Sequence, residues 1–267
     1  MKDKRRCMLF FDIDGTLITE DGTMTFPESA KQAIRKAREN GHLVYINTGR
    51  VRINVDNFIE EVGFDGFVCG CGTYIESEGA VLLHHETPQK RCVEIAKKCR
   101  ECGLFAVFEH ADKNGYDQAA LGDINLHVLE YFKSMGRKMV PDIEDPEFSF
   151  DKFAAWYDKE SAKLEEFKQF VSEDFTCITR EGTFIEVVPK GFSKATGIQF
   201  LMERYGIPLA DVYAFGDSNN DLDMLRYVEH SIAMGVCSDE VAKVAFYRTD
   251  TVMQDGIYNA MKHFELI

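Results

Sequence analysis

The chain has 267 residues, 45% of them hydrophobic and 28% charged, which is the make-up of a folded globular protein and not of a disordered one. Its 45 acidic residues against 31 basic ones leave a formal net charge of −14. That excludes a general nucleic-acid binder, which needs a basic footprint to neutralise phosphates, but it leaves open a small phosphorylated ligand held by a few local donors.

The N-terminal segment Met1-Lys2-Asp3-Lys4-Arg5-Arg6 is basic, but only a short apolar stretch follows it. No secretory leader is expected, no apolar run reaches membrane-spanning length, and a cytoplasmic protein with no membrane partner is the expectation. Cys7-Met8-Leu9-Phe10-Phe11 reads as a buried parallel strand. It ends in Asp12-Ile13-Asp14-Gly15-Thr16-Leu17, two carboxylates one residue apart before a loop. Side chains at i and i+2 share a strand face, roughly 6–7 Å apart. Two like charges that close call for a divalent cation, a shared proton or a phosphoryl group between them. The bland alternative is a strand followed by an acidic turn.

A helix is expected from about Glu28 to Asn40, with Ala30, Ala33, Ile34 and Ala37 at helical spacing and a stop at Asn40-Gly41. Leu43-Val44-Tyr45-Ile46 is a second strand, ending at Asn47-Thr48-Gly49-Arg50. A further helix to about Glu61 and a third strand, Gly66-Phe67-Val68-Cys69, complete a βαβαβ rhythm with parallel strands.

The middle of the chain changes character. A hairpin is expected at Ser77-Glu78-Gly79, then helices near 89–102, 124–135 and 160–173. Strands are expected near 104–109, 115–120 and 153–157, and a last hairpin turns at Glu181-Gly182. This α+β pattern implies a separate domain with an antiparallel sheet, placed at 86–188. Residues 1–85 plus 189–267 form the other domain, because the last third returns to alternating helix and strand. Its elements are a helix near 194–205, strand Val212-Tyr213-Ala214-Phe215, strand Ser231-Ile232-Ala233-Met234 and a helix near 238–245. Phe105, Phe108, His110, Tyr116 and Trp156 are large enough to touch a ligand, yet aromatics alternating on strands serve more often as core. The eight cysteines, including Cys99-Arg100-Glu101-Cys102, lie mostly in apolar patterns and read as reduced structural thiols.

Four strand ends or helix starts carry polar groups: Asp12 and Asp14; Thr48, Gly49 and Arg50; Lys194; and Gly216-Asp217-Ser218-Asn219-Asn220-Asp221. Singly each has an ordinary explanation, as turn, solvated lysine or helix cap. Together they supply acids, a hydroxyl and a cation that can meet at one sheet edge.

Their order and spacing resemble the haloacid dehalogenase superfamily of phosphotransferases, over essentially the whole length. The place of the insert, and the segments Gly216 to Leu225, Ile232 to Gly235 and Gln254 to Ile257, are similar to the Cof-type subfamily with a class IIB cap. The resemblance implies a doubly wound, Rossmann-like parallel core with an inserted α+β cap. It implies a Mg²⁺-dependent phosphatase for small phosphorylated metabolites such as sugar phosphates, working through an aspartyl-phosphate. Asp12 would be the nucleophile and Asp14 the acid and base. Asp12, Asp14 (by its backbone carbonyl), Asp217 and Asp221 would serve the metal, Asp221 from behind the direct ligands. Thr48, Gly49, Lys194 and Asn220 would hold phosphate, with Arg50 a further contact. The alternatives are a phosphomutase of the same superfamily and a phospho-acceptor regulatory protein. A monomer and a homodimer are both compatible. Two departures from the subfamily pattern, Cys71-Gly72 in place of Asn-Gly and Val236-Cys237 in place of Asn-Ala, leave the catalytic set untouched.

Overall fold

The computed structural model describes residues 6–267 except 142, 144, 146, 161 and 180–182. The turn expected at Glu181-Gly182 lies outside the described residues. The chain divides into two units: residues 1–49, 55–83 and 193–267, and residues 50–54 and 84–192.

The apolar segments of the first third become strands β1 (Met8–Phe11), β2 (Leu43–Asn47) and β3 (Gly66–Cys69), followed by the hairpin β4 (Tyr74–Ser77) and β5 (Ala80–His84). Glu78 and Gly79 both take positive φ at the hairpin turn, which matches the twist of the flanking strands. The second unit holds β6 (Leu104–Glu109), β7 (Asn114–Tyr116), β8 (Met139–Val140), β9 (Lys152–Tyr157), β10 (Phe175–Thr179) and β11 (Phe184–Pro189). The chain then returns to the first unit for β12 (Val212–Gly216), β13 (His230–Ala233) and β14 (Tyr247–Arg248).

The first unit is an eight-stranded sheet in the order β14-β13-β12-β1-β2-β3-β4-β5. From β14 to β3 every neighbour is parallel, and β4 then pairs antiparallel with β3. All four residues of β1 are buried, as expected for a strand covered on both faces. Phe10 stacks on Tyr45 and Phe11 on Phe215, and burying each such side chain is worth about 1.5–3 kcal/mol. Helix Glu28–Glu39 buries the expected Ala30, Ala33, Ile34 and Ala37. The strand sequence runs one way from β1 to β3 and the other way from β12 to β14. The gap between β1 and β12 is therefore a topological switch point, where such sheets open a crevice beyond their strand ends.

The second unit carries a six-stranded sheet in the order β10-β11-β9-β6-β7-β8. It is mixed, not antiparallel as the sequence suggested, because β7 and β8 pair in parallel. Helix Asp123–Ser134 intervenes between those two strands and returns the chain in the same direction, as a parallel pair requires. Phe105 and Phe108 are both fully buried, in separate apolar clusters. Phe108 packs with Phe148, Phe150 and Phe153.

Two expected elements are shorter than the sequence suggested. The helix to Glu61 is two fragments, Arg52–Asn54 and Asn57–Glu60, with Asp56 extended between them. Its β-branched residues and Asn/Asp pair are poor helix formers and favour local caps. The strand expected to reach residue 120 stops at Tyr116, since the Asp117 side chain accepts from the Ala119 N–H and starts a tight turn. All eight cysteines carry free thiols, and six are buried.

Candidate active site

The first unit gathers polar groups from three remote parts of the chain at the switch point. Asp12 follows β1, and its N–H donates to Phe215 O at 3.1 Å, so the loop leaves the strand in register with β12. Gly15 has φ +74°, and a Cβ there would lie 2.6 Å from Asp217 Cγ. Only glycine lets this loop close against the loop after β12. Thr16, fully buried, then donates from Oγ1 to Asp217 Oδ1 at 2.7 Å.

Lys194 opens helix Lys194–Tyr205, whose start is set by a capping box between Ser193 and Thr196. Its Nζ lies 2.8 Å from Asp12 Oδ1 and 2.6 Å from Asp221 Oδ1, all three side chains being almost wholly buried. Asp221 Oδ2 accepts from the backbone N–H groups of Asp217 (2.9 Å) and Ser218 (3.0 Å). One carboxylate thus fixes both the lysine head and the loop carrying Asp217. At Gly216 an added Cβ would sit 2.6 Å from Asp221 Cγ, so this turn too has room for nothing larger.

Asp12, Asp217 and Asp221 each offer an oxygen within 4.8 Å of the others, and all are buried. Three carboxylates face one lysine. Burial pushes the Asp12 carboxyl above the ordinary range, Lys194 pulls it back, and Asp221 and Asp14 push it up again. Burial likewise raises Asp217, with Asp12 and Asp221 adding to it. Burial works against the charge on Lys194, but Asp12 and Asp221 outweigh it and hold its pKa above the usual lysine value. An all-oxygen donor set of three carboxylates against one lysine, costly to ionise without a cation, is what a hard divalent ion fits.

Thr48 and Gly49 follow β2, the neighbour of β1, at the same sheet edge as Asp12. The Thr48 N–H donates to Val68 O and its carbonyl accepts from the Cys71 N–H. Cys71 is left-handed (φ 57°), a conformation that Asn adopts more readily. Cys71 thus stands, where the subfamily pattern has Asn, at a position whose left-handed backbone suits Asn. Asp14 and Asn220 are half-buried, and Asn220 Oδ1 accepts from Ser218 Oγ at 2.7 Å. Arg50 belongs to the second unit, where it donates to Asn54 O at 3.2 Å.

With this geometry, the sequence matches the haloacid dehalogenase-like hydrolases over residues 9–261. The chain belongs to that family. It is 30% identical to "Putative phosphatase YkrA" of Bacillus subtilis (strain 168), over 97% of this chain and 98% of that protein. It is 23% identical to the 5-amino-6-(5-phospho-D-ribitylamino)uracil phosphatase YitU of the same organism, over 96% of this chain and 97% of that one. Among solved structures, the HAD subclass IIB sugar phosphatase BT4131 superposes with a TM-score of 0.82 at 26% identity, over 98% of this chain and all of that one. The chain is accordingly a HAD-type phosphatase acting on small phosphorylated substrates, and phosphatases of this family use a divalent metal.

The sequence reading missed Asn47. Its Nδ2 donates to the Lys194 carbonyl at 3.0 Å, which ties β2 to the first turn of the lysine's helix. A buried Asn closing an otherwise apolar strand was the available signal. A cleft also borders Asp217, lined in part by Gly15, Thr19, Val236 and Met253. Val236 and Met253 are among the most exposed large apolar side chains of the described residues.

Proposed function

We propose that the chain is a Mg²⁺-dependent phosphatase for sugar or polyol phosphates, acting through a phosphoryl group carried on Asp12. The observation that carries this reading is the 2.8 Å pair between Asp12 Oδ1 and Lys194 Nζ inside the buried three-carboxylate group. A buried carboxylate paired with a lysine at a switch-point crevice is where a nucleophile is needed, and this supports reading Asp12 as that group.

Asp12 and Asp217, together with the Asp14 carbonyl, would hold the Mg²⁺, which when bound offsets the repulsion between a carboxylate and a phosphate dianion. Both Asp221 oxygens are already engaged, so Asp221 acts by holding Lys194 and the Asp217 loop. An Asp12 oxygen forms a bond to phosphorus as the ester P–O bond breaks, and Asp14 gives its proton to the departing alkoxide. Asp14 then takes a proton from water as the water oxygen bonds to phosphorus and the Asp12–phosphorus bond breaks, which returns both acids to their starting state. Lys194, Thr48 and the Gly49 N–H hold the remaining phosphate oxygens, with Asn220 assisting. Residues 86–188 are assigned the choice of substrate.

A sugar- or polyol-phosphate class is supported by the sugar phosphatase and the phosphoribitylamino-uracil phosphatase among its relatives. The test is a panel of hexose, pentose and pentitol phosphates with Mg²⁺, followed by phosphate release and by sugar analysis. Free phosphate with the dephosphorylated polyol is the expected product. Isomerised sugar phosphate without free phosphate would make the chain a mutase. Activity confined to phosphates lacking a polyol would remove the substrate class.

A further inference from the structure

A second ligand cluster lies in the inserted unit, built from residues that the phosphatase reading does not use. His84 closes β5 and Glu86 follows it two residues later, and extended chain puts i and i+2 on one side. His110 follows β6 directly. The Asp151 N–H donates to Glu109 O at 2.8 Å, which brings Asp151 alongside the same strand end. The two imidazole rings lie 5.3 Å apart. His84, Glu86 and His110 each offer a ligand atom within 4.8 Å of the others.

Both rings meet carboxylates, His84 through Nε2 and His110 through both nitrogens. His110 Nδ1 lies 2.6 Å from Asp112 Oδ1, with the Asp112 N–H a longer 3.3 Å from the same nitrogen. His84 Nε2 lies 2.9 Å from Asp151 Oδ1. Metal-bound histidines are oriented this way, by an acid on the nitrogen away from the metal. His110 Nε2 is 2.7 Å from Glu86 Oε1, which also accepts from Ser149 Oγ at 3.0 Å. Asp151 beside His84 carries an unmet buried acceptor. Its side chain is fully buried, and its Oδ2 has no hydrogen-bond partner among the described residues. An orphaned buried carboxylate oxygen costs free energy unless a cation or a metal-held water satisfies it. Three carboxylates surround two imidazoles here, so the cluster holds surplus negative charge even with both rings protonated. His84 and Glu86 are about a quarter and a half exposed, which leaves an ion a way in.

We infer that His84, Glu86 and His110 form a second metal site, with Asp112 and Asp151 orienting the two histidines. Two imidazoles and a carboxylate select a borderline transition ion such as Zn²⁺, and Mg²⁺, which takes oxygen ligands, goes to the other unit. The two sites therefore separate by ion type.

The test uses the full-length protein, freed of metal and titrated with Zn²⁺, with retained metal counted after dialysis. X-ray absorption then reads the ligands at the bound zinc. One tightly held Zn²⁺ per chain is expected, with two imidazole nitrogens at about 2.0–2.1 Å. It should persist in Asp217→Asn. His84→Gln and His110→Gln should each lose it, and Asp112→Asn should weaken it about 10–100-fold. Two histidine variants guard against one failing to fold, and circular dichroism of each checks the fold. Zinc that is lost in Asp217→Asn, is kept in both histidine variants, or shows an all-oxygen shell would overturn the assignment.

Discussion

Lys194 donates to Asp12 across 2.8 Å with both side chains buried, although one opens a helix after the inserted unit and the other directly follows the first strand. The pair exists because β1 is flanked by β12, whose loop carries the Asp221 that takes the same ammonium at 2.6 Å. Each partner is fixed by backbone elsewhere, so the contact is preorganised.

Replacing Lys194 with Met should therefore act on two levels. Turnover should fall by about 10²–10³, the usual loss when one preorganised charge-stabilising donor is removed. Removing one partner of a buried ionic group should also cost about 3–5 kcal/mol. Steady-state kinetics with sugar phosphates, and thermal unfolding of the same samples, read the two separately.

Thr16→Val keeps the shape of a buried residue but removes the donor to Asp217 Oδ1. The affinity for the activating cation should drop about 10–100-fold while the fold persists. Titrating Mg²⁺ against activity measures this, and an unchanged midpoint would deny Thr16 any part in setting the carboxylate.

Asp217→Asn should show function and stability opposed. Asp217 is pushed up by burial and by Asp12 and Asp221, so in the metal-free protein its charge is a burden. A carboxyl whose pKa is raised on folding binds its proton more tightly in the native state. Metal-free wild type should then lose stability as pH rises above the ordinary carboxylate range. The Asn variant should lose activity, unfold at a higher temperature without metal, and show a flatter pH dependence. Thermal scans across pH in chelator decide it.

Two glycines with similar backbone make a controlled pair. Gly15 (φ +74°) faces Asp217, whereas Gly79 (φ +78°) has nothing within 4 Å of a would-be Cβ. Gly79→Ala should cost about 1–2 kcal/mol, the left-handed backbone penalty alone. Gly15→Ala should in addition abolish activity by displacing Asp217, as paired unfolding and rate measurements would show.

In the inserted unit, Lys152 Nζ lies 2.7 Å from Glu109 Oε2 and 2.8 Å from Glu186 Oε1, all nearly fully buried. Lys152→Met should destabilise by about 3–5 kcal/mol, because two buried acids lose the cation they share. Adding Glu109→Gln and Glu186→Gln should restore much of it. Calorimetry that resolves the two units would detect both effects.

The core was legible because its strands are uninterrupted apolar runs and its first helix has a clean buried stripe. The inserted unit was less so. The parallel β7–β8 pair depends on a return path through a helix, and no residue pattern in a two-residue strand announces it. The polar strand ends were visible one by one, and they lie at one edge because the sheet order brings β1, β2 and β12 together. Asn47 was missed because its partner is a backbone carbonyl far away in the chain, which no side-chain pattern marks. The His84–His110 cluster was invisible for a related reason: its members lie in three separated segments without a metal-binding spacing.

The most direct measurement is rapid acid quench of Asp14→Asn protein with phosphorus-labelled nitrophenyl phosphate, whose leaving group needs no proton from Asp14, and Mg²⁺, followed by peptide mapping. With the group that activates water removed, a stoichiometric acyl-phosphate should accumulate on Asp12 and on no other acid. Label on another residue, or phosphate release in single turnover with no covalent phosphoenzyme at any time, would contradict the role given to the Asp12–Lys194 pair.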